Sequence, residues 1–198
     1  MKLSIKNEDK TKMDFLLKST SVSFANLLRR FVMSRVPVFA IDSVTFYENS
    51  SPLFDEYIAH RIGMVPLKLG TGVRDEEEVL FSLDASGPGT VHSSALKSRM
   101  DKIKVATEKI PLLKLLEGQN LRLEAKAISG IGRDHAKYQA GLASYNILEG
   151  GNDFEFEIES FMQISPRDMA LKSADAISQR CTELAKGLNE IKKEAKKK

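Results

Sequence analysis

Hydrophobic and polar positions change period several times along this chain, and each change marks an element. Leu3 and Ile5, then Met13, Phe15 and Leu17, alternate around the polar stretch NEDKT, which predicts a β-hairpin with a polar turn. Phe24, Leu27, Leu28, Phe31 and Val32 then recur at helical spacing within STSVSFANLLRRFVMSRVP. Ser21 or Ser23 suits the N-cap, and Val36 followed by Pro37 stops the helix. Arg29, Arg30 and Arg35 fall mostly off its apolar stripe. Residues 38–48, VFAIDSVTFYE, are rich in β-branched and aromatic types and predict a strand. NSSP breaks it, and Pro52 suits the first turn of a short helix through Ile62, capped by Ser50 or Ser51. Gly63 ends that helix, and residues 64–67 continue extended.

Residues 70–102 are the least regular part. GTG, the acidic run RDEEE and SGPG punctuate one short strand, VLFSL, at 79–83. Residues 103–106 read as a strand, and 111–117 as a helical turn bearing Leu112, Leu113, Leu115 and Leu116. Residues 121–128 alternate as a strand, and GIGRDHAKYQAG reads as a glycine-punctuated loop.

The end of the chain is the most legible. In DFEFEIESF, Phe154, Phe156 and Ile158 alternate with Glu155, Glu157 and Glu159, the pattern of a half-buried antiparallel strand. Ser165 and Pro166 then start a helix with Asp168 in its first turn. Along it Ala170, Ala174, Ile177, Cys181, Leu184, Leu188 and Ile191 step alternately by four and three, an a/d heptad seam. From 166 to 191 such a helix spans about 39 Å, hardly shorter than a globular body of this size. A narrow seam of that length asks for a second helix along all of it. The 22–35 helix is half as long, so the seam points to a helix from another chain. The competing reading is a long helix lying across this chain's own sheet.

Composition narrows the function classes. The 198 residues suit one large domain or two small ones, and 42% are hydrophobic, enough for a real core. No apolar run approaches the roughly 20 residues of a membrane span, and the N-terminus has no secretory h-region. One cysteine excludes an internal disulfide framework and any multi-cysteine zinc or iron–sulfur site, so a cytoplasmic protein is expected. The net charge of +3 resides in the tail: without KKEAKKK, 25 basic face 26 acidic residues. The body therefore lacks the basic excess of a DNA-binding domain. The tail reads as a solvated helix end, with a nucleic-acid or membrane contact as the alternative.

The catalytic inventory is poor. Glu56 and His60 share a helix face, but a metalloprotease-type site needs a second histidine, so a surface pair that orders a turn is the simpler reading. Asp134 and His135 are adjacent and have no nucleophile motif with them, so a polar loop that docks a partner outranks an acid/base pair. The glycines of SGIGRD satisfy neither phosphate-loop pattern. Cys181 lies on the heptad seam, where it reads as a small apolar residue.

Three segments together resemble one family: residues 23–67, with N-x-L-R-R, V-P-x-x-A-I and D-E-x-I-A-H-R-x-G-x-x-P-L in order; ISGIGRDHAKY at 128–138; and FEFEIESFMQISPRDMALKSADAI at 154–177. They resemble the D subunits of archaeal DNA-directed RNA polymerases, relatives of the eukaryotic third-largest subunit and of the bacterial α subunit N-terminal region. The resemblance covers most of the chain and is weakest over 70–105.

It implies an α+β fold in two parts. A discontinuous α-subunit-like dimerisation domain, an antiparallel sheet with two amphipathic helices, would take residues 1–48 and 150–198. A mainly β insert domain would take 49–149. It implies a non-catalytic scaffold that pairs with a smaller homologous subunit, called L in archaea, through Phe24, Leu27, Leu28 and Phe31 of the first helix and the seven seam residues of the last. The zinc-binding N and P subunits would join this pair to form the platform for the large catalytic subunits. Arg29 and Arg30 would face a large subunit, and the 130–138 loop, with Arg133, Asp134, His135 and Lys137, would approach the second-largest. No cofactor and no sequence-specific nucleic-acid contact are implied.

The chain departs from many such subunits at 142–153, a short join where they carry a cysteine-rich, ferredoxin-like insertion, so iron–sulfur binding is not expected. Competing functions are a nucleic-acid-binding module using the lysine tail and a small enzyme using Asp134, His135 or the Glu56–His60 pair.

Overall fold

The computed structural model describes residues 1–70, 78–100 and 102–195. The glycine and acidic punctuation read at 71–77, and the last three lysines of the tail, lie outside the described residues. In chain order the elements are β1 (Lys2–Glu8), β2 (Lys12–Lys18), α1 (Val22–Ser34), β3 (Pro37–Asn49), α2 (Asp55–Gly63), β4 (Leu67–Leu69), β5 (Val79–Ser86), β6 (Gly89–His92), β7 (Lys97–Ser98), β8 (Ile103–Val105), β9 (Pro111–Leu115), β10 (Asn120–Ile131), β11 (Gly141–Ile147), β12 (Phe154–Ser160) and α3 (Pro166–Ala195). Single 3₁₀ turns lie at Ser93–Ala95 and Ala136–Tyr138.

The strands form two antiparallel four-stranded sheets, β1-β2-β12-β11 and β3-β10-β5-β7, and two two-stranded pairs, β4 with β8 and β6 with β9. The fold is therefore α+β. The first sheet joins the two ends of the chain. Phe15 pairs directly with Phe156, and Phe156 with Tyr145, so an aromatic row crosses three strands. Phe15 and Phe156 stack at 5.1 Å, and Tyr145 meets Phe156 at 5.2 Å. Cross-strand aromatic pairs of this kind contribute beyond their buried area. The helices α1 and α3 pack on this face through Ala25, Leu28, Val32 and Met169.

The second sheet has its own core, with Ile58 and Ile62 of α2 packed among Phe39, Ile41, Phe81, Leu83, Leu121 and Leu123. The strand β3 serves both cores. Val38 and Ala40 belong to the first and Phe39 and Ile41 to the second. A strand buried on both faces reads as a continuous apolar run, as VFAI does.

Four local expectations are corrected. Residues 111–115 form strand β9, not a helical turn: Leu113 pairs with Val91 and Leu115 with Gly89, burying Leu112, Leu113 and Leu115. A short leucine-rich run fits either period, and the pairing decides. The helix α2 starts at Asp55, three residues beyond Pro52, with Phe54 at the N-cap and no capping side chain. The Ser50 and Ser51 side chains are used elsewhere: Ser51 donates to Asn49 Oδ1 at 2.7 Å, and Asn49 Nδ2 donates to Leu53 O and Asp55 Oδ1. The first half of the 142–153 join, up to Ile147, is strand β11, which hydrogen-bonds β12. The loop beginning GIG is strand up to Ile131.

Sheet membership also crosses the expected divisions at 48/49 and 149/150. The strand β3 bonds β10 in the second sheet, and β11 lies in the first.

Candidate assembly surface

The helix α1 is capped as expected, with the Ser21 hydroxyl accepting from Phe24 N. It turns Ala25, Leu28 and Val32 into the body. Leu28, expected on a subunit interface, is 8% exposed and packs in this chain's own core. Phe24 and Phe31 are half-buried and Leu27 is exposed, so these three border the free surface.

The helix α3 runs 30 residues, about 45 Å. At its start Ser165 Oγ accepts from Asp168 N at 3.1 Å and donates to Asp168 Oδ2, a reciprocal cap. Its first three turns contact β12, β2 and α1. Met169 and Ser173 are buried there, and Ala170 and Ile177 half-buried. Ala174 is exposed, and beyond Ile177 only Gly187 is less than exposed through Lys193. The seam residues Cys181, Leu184, Leu188 and Ile191 therefore face solvent, the last three at 65%, 59% and 64%. The first part of this helix lies across the chain's own sheet, as one reading has it, and its second half projects with its apolar stripe exposed.

Beside α1 lies a groove of about 930 Å³ that brings together Arg29, Arg30, Arg35 and Arg133, with Asn26, Leu27, Phe31 and Ser34 among its walls. The sequence singles out Arg29, Arg30 and Arg133 but holds no signal that joins Arg133 to α1. The join is made by Gly132. A Cβ there would collide with the Met33 carbonyl oxygen, so only glycine lets the loop approach the end of the helix. Arg133 N then donates to Ser34 O at 3.0 Å. Arg29 Nη2 donates to Asn26 Oδ1 at 3.0 Å, and the Arg35 guanidinium lies 5.9 Å from the Phe31 ring centre. Among the described residues no carboxylate lines the groove. Clustered guanidinium groups of this kind can bind an oxyanion such as a carboxylate.

The other half of the loop faces elsewhere. Lys137, expected to donate to a partner, donates instead to Asp42 Oδ1 at 2.8 Å with its side chain only 14% exposed. That hydrogen bond holds the Asp42 carboxyl below its usual range. Tyr138 donates to the same oxygen at 3.2 Å, and burial together with the Asp42 charge pushes its phenol up to about 12. The Tyr138 ring lies against Gly130, where a Cβ would meet it at 2.7 Å. His135 Nδ1 accepts from Lys137 N at 3.1 Å, which caps the 3₁₀ turn. Asp134 is exposed, and its backbone N donates to Ile131 O. The structure brings His60 and His135 to one small cavity of about 200 Å³, beside Asp42 and Lys137. Among the described residues no group of three or more His, Cys, Asp or Glu is arranged to hold a metal ion.

Residues 41–149 match the family model described as the RNA polymerase Rpb3/RpoA insert domain. The chain is 41% identical over 171 residues to the DNA-directed RNA polymerase subunit Rpo3 of Methanocaldococcus jannaschii, covering 84% of this chain and 87% of that one. It is 48% identical over 147 residues to Rpo3 of Pyrococcus furiosus, covering 71% of this chain and 56% of that one. For Rpo3 of Pyrococcus horikoshii the figures are 45% identity over 152 residues, covering 73% and 59%. The chain thus spans somewhat more than half the length of these two Pyrococcus relatives. By its match to the insert-domain model and its near full-length likeness to the Methanocaldococcus protein, the chain belongs to the Rpo3 family of archaeal DNA-directed RNA polymerase subunits.

Proposed function

We propose that this chain is a non-catalytic assembly subunit of a DNA-directed RNA polymerase, the counterpart of the archaeal D subunits, acting in the cytoplasm. It pairs with the smaller homologous L subunit, and the pair, with the N and P subunits, forms the platform on which the large catalytic subunits assemble. The observation that carries this reading is the distal half of α3, an apolar stripe of Leu184, Leu188 and Ile191 that nothing among the described residues covers. Soluble monomers rarely leave a contiguous apolar stripe open, and a heptad seam is completed by a second helix. Phe24, Leu27 and Phe31 of α1 extend the same contact, with Ala170, Ala174, Ile177 and Cys181 along α3. Residues 1–48 and 150–198 serve dimerisation and 49–149 form the insert, except that β11 goes with the first sheet and β3 is shared.

The arginine groove is the seat for a carboxylate-bearing segment of a large subunit. Arg29, Arg30 and Arg133 face that segment, and Asp134 and His135, which do not line the groove, meet the large subunit beside it. The chain is read as a form without an iron–sulfur domain. A single cysteine and a β11–β12 connection that turns through Gly150 and Gly151, both at positive φ, support this.

The test is the solution mass of the purified chain alone and mixed with recombinant L subunit, by light scattering on a sizing column. A 1:1 complex is expected. A clean monomer that ignores L overturns the reading.

A further inference from the structure

The first sheet has one apolar face and two helices of its own to cover it. The helix α1 contacts β11 and α3, and α3 contacts β12 and β2. Every residue of β1 is exposed. Yet β1 is not a polar edge strand. Leu3 stands directly opposite Leu17, and Ile5 opposite Phe15. Opposed residues of an antiparallel pair project to the same face. Leu17 and Phe15 belong to the core shared with α1 and α3, each 1% exposed, whereas Leu3 is 60% and Ile5 42% exposed. The apolar face of the sheet therefore runs one strand beyond its cover.

The spacing says what shape fits. Packed helices lie about 8–10 Å apart, and strands about 4.8 Å apart. With α3 above β12 and β2 and α1 occupying one of its flanks, the next helix on this face sits about two strands over, above β1. Area points the same way. At about 25 cal/mol/Å², covering the exposed parts of Leu184, Leu188 and Ile191 accounts for roughly 120–240 Å², a small part of the about 800 Å² per partner of a standard stable interface, so the contact reaches beyond the distal seam.

We infer that the open flank of α3 above β1 seats a helix of the same subunit that pairs with the distal seam, with Leu3 and Ile5 as its floor. This rests on the reading of α3 as a subunit interface and adds a contact that the heptad pattern does not contain. A helix fits better than an added strand, because what β1 leaves open is the apolar side-chain face under α3's flank.

The experiment is titration calorimetry of the full chain against recombinant L subunit, for wild type, Leu3→Ser/Ile5→Ser and Leu184→Glu. The double variant is expected to pair at least about tenfold more weakly, with an unchanged melting curve. Pairing within twofold of wild type overturns the inference while leaving the assembly reading intact. Unchanged pairing by Leu184→Glu overturns the assembly interface itself. Hydroxyl-radical footprinting of the wild-type pair decides independently of the variants' folding: protection of Leu3 and Ile5 supports the inference, and equal labelling in the free and paired chain refutes it. Loss of self-association by the double variant, with L binding unaltered, assigns the patch to a second copy and also refutes it.

Discussion

Replacing Leu184 by glutamate separates a subunit interface from an internal packing seam. Leu184 is 65% exposed in the chain, and Leu188 and Ile191, one and two seam steps further on, are 59% and 64%. Full burial of such a side chain is worth about 1.5–3 kcal/mol, so covering the exposed three-fifths contributes about 1–2 kcal/mol at each. Glutamate forfeits that amount at 184 and adds the cost of a carboxylate with no partner in an apolar seam, at least about 2 kcal/mol. Together these exceed about 3 kcal/mol, a weakening of pairing with the L subunit of more than about 10²-fold. The isolated chain is expected to be unaffected within about 0.5 kcal/mol, because the side chain lies on an open helix face. The assay is calorimetric titration with L beside urea unfolding of the chain alone. Unchanged affinity refutes the reasoning, and so does a clear loss of stability in the isolated variant, which would mean that the seam packs internally. Met169→Glu supplies the opposite control. Met169 is fully buried against the first sheet, so this variant destabilises the chain itself.

Three further outcomes follow from the geometry. Gly132→Ala drives a Cβ into the Met33 carbonyl oxygen, so it is expected to cost about 1–3 kcal/mol in urea unfolding and to expose the Arg133 amide to hydrogen exchange; no change in either refutes the close approach. Arg30→Glu with Arg133→Glu is expected to leave pairing with L within twofold but to block recruitment of the large subunits in a reconstitution; recruitment at wild-type level removes the groove from the assembly surface. Asp42 has its folded pKa depressed by Lys137, so the stability it contributes is present above the ordinary aspartate pKa near about 4 and is lost as pH falls through the lower folded value. Wild type is therefore expected to exceed Asp42→Asn in stability at pH 7, with the gap closing in acid; a gap that persists at the lowest pH refutes the ion pair as its source.

Local chemistry makes much of the architecture legible. The strict alternation in β12, the Ser21 cap of α1 and the Ser165–Asp168 start of α3 are patterns in which a side chain's neighbours lie within a few residues. Where neighbours are distant, the local pattern misleads. Residues 111–115 form a strand because β6, about twenty residues earlier, supplies a ladder for them. Lys137 reads as a free donor because Asp42, its partner, lies 95 positions away. Arg29, Arg30 and Arg133 each stand out in the sequence, but their convergence depends on a contact between Gly132 and the last turn of α1.

The seam on α3 shows the division most clearly. Its period is set by the sequence alone, since heptad spacing places those side chains on one stripe wherever the helix lies. Which part of the stripe is already satisfied is decided only by tertiary structure. The sheet is seven residues long at β12, and it covers the helix to Ile177 and no further. The same holds for Leu3 and Ile5. Alternation assigns them to an apolar face, but exposure depends on how many helices lie above that face, and among the described residues two helices, α1 and α3, pack on this four-stranded sheet.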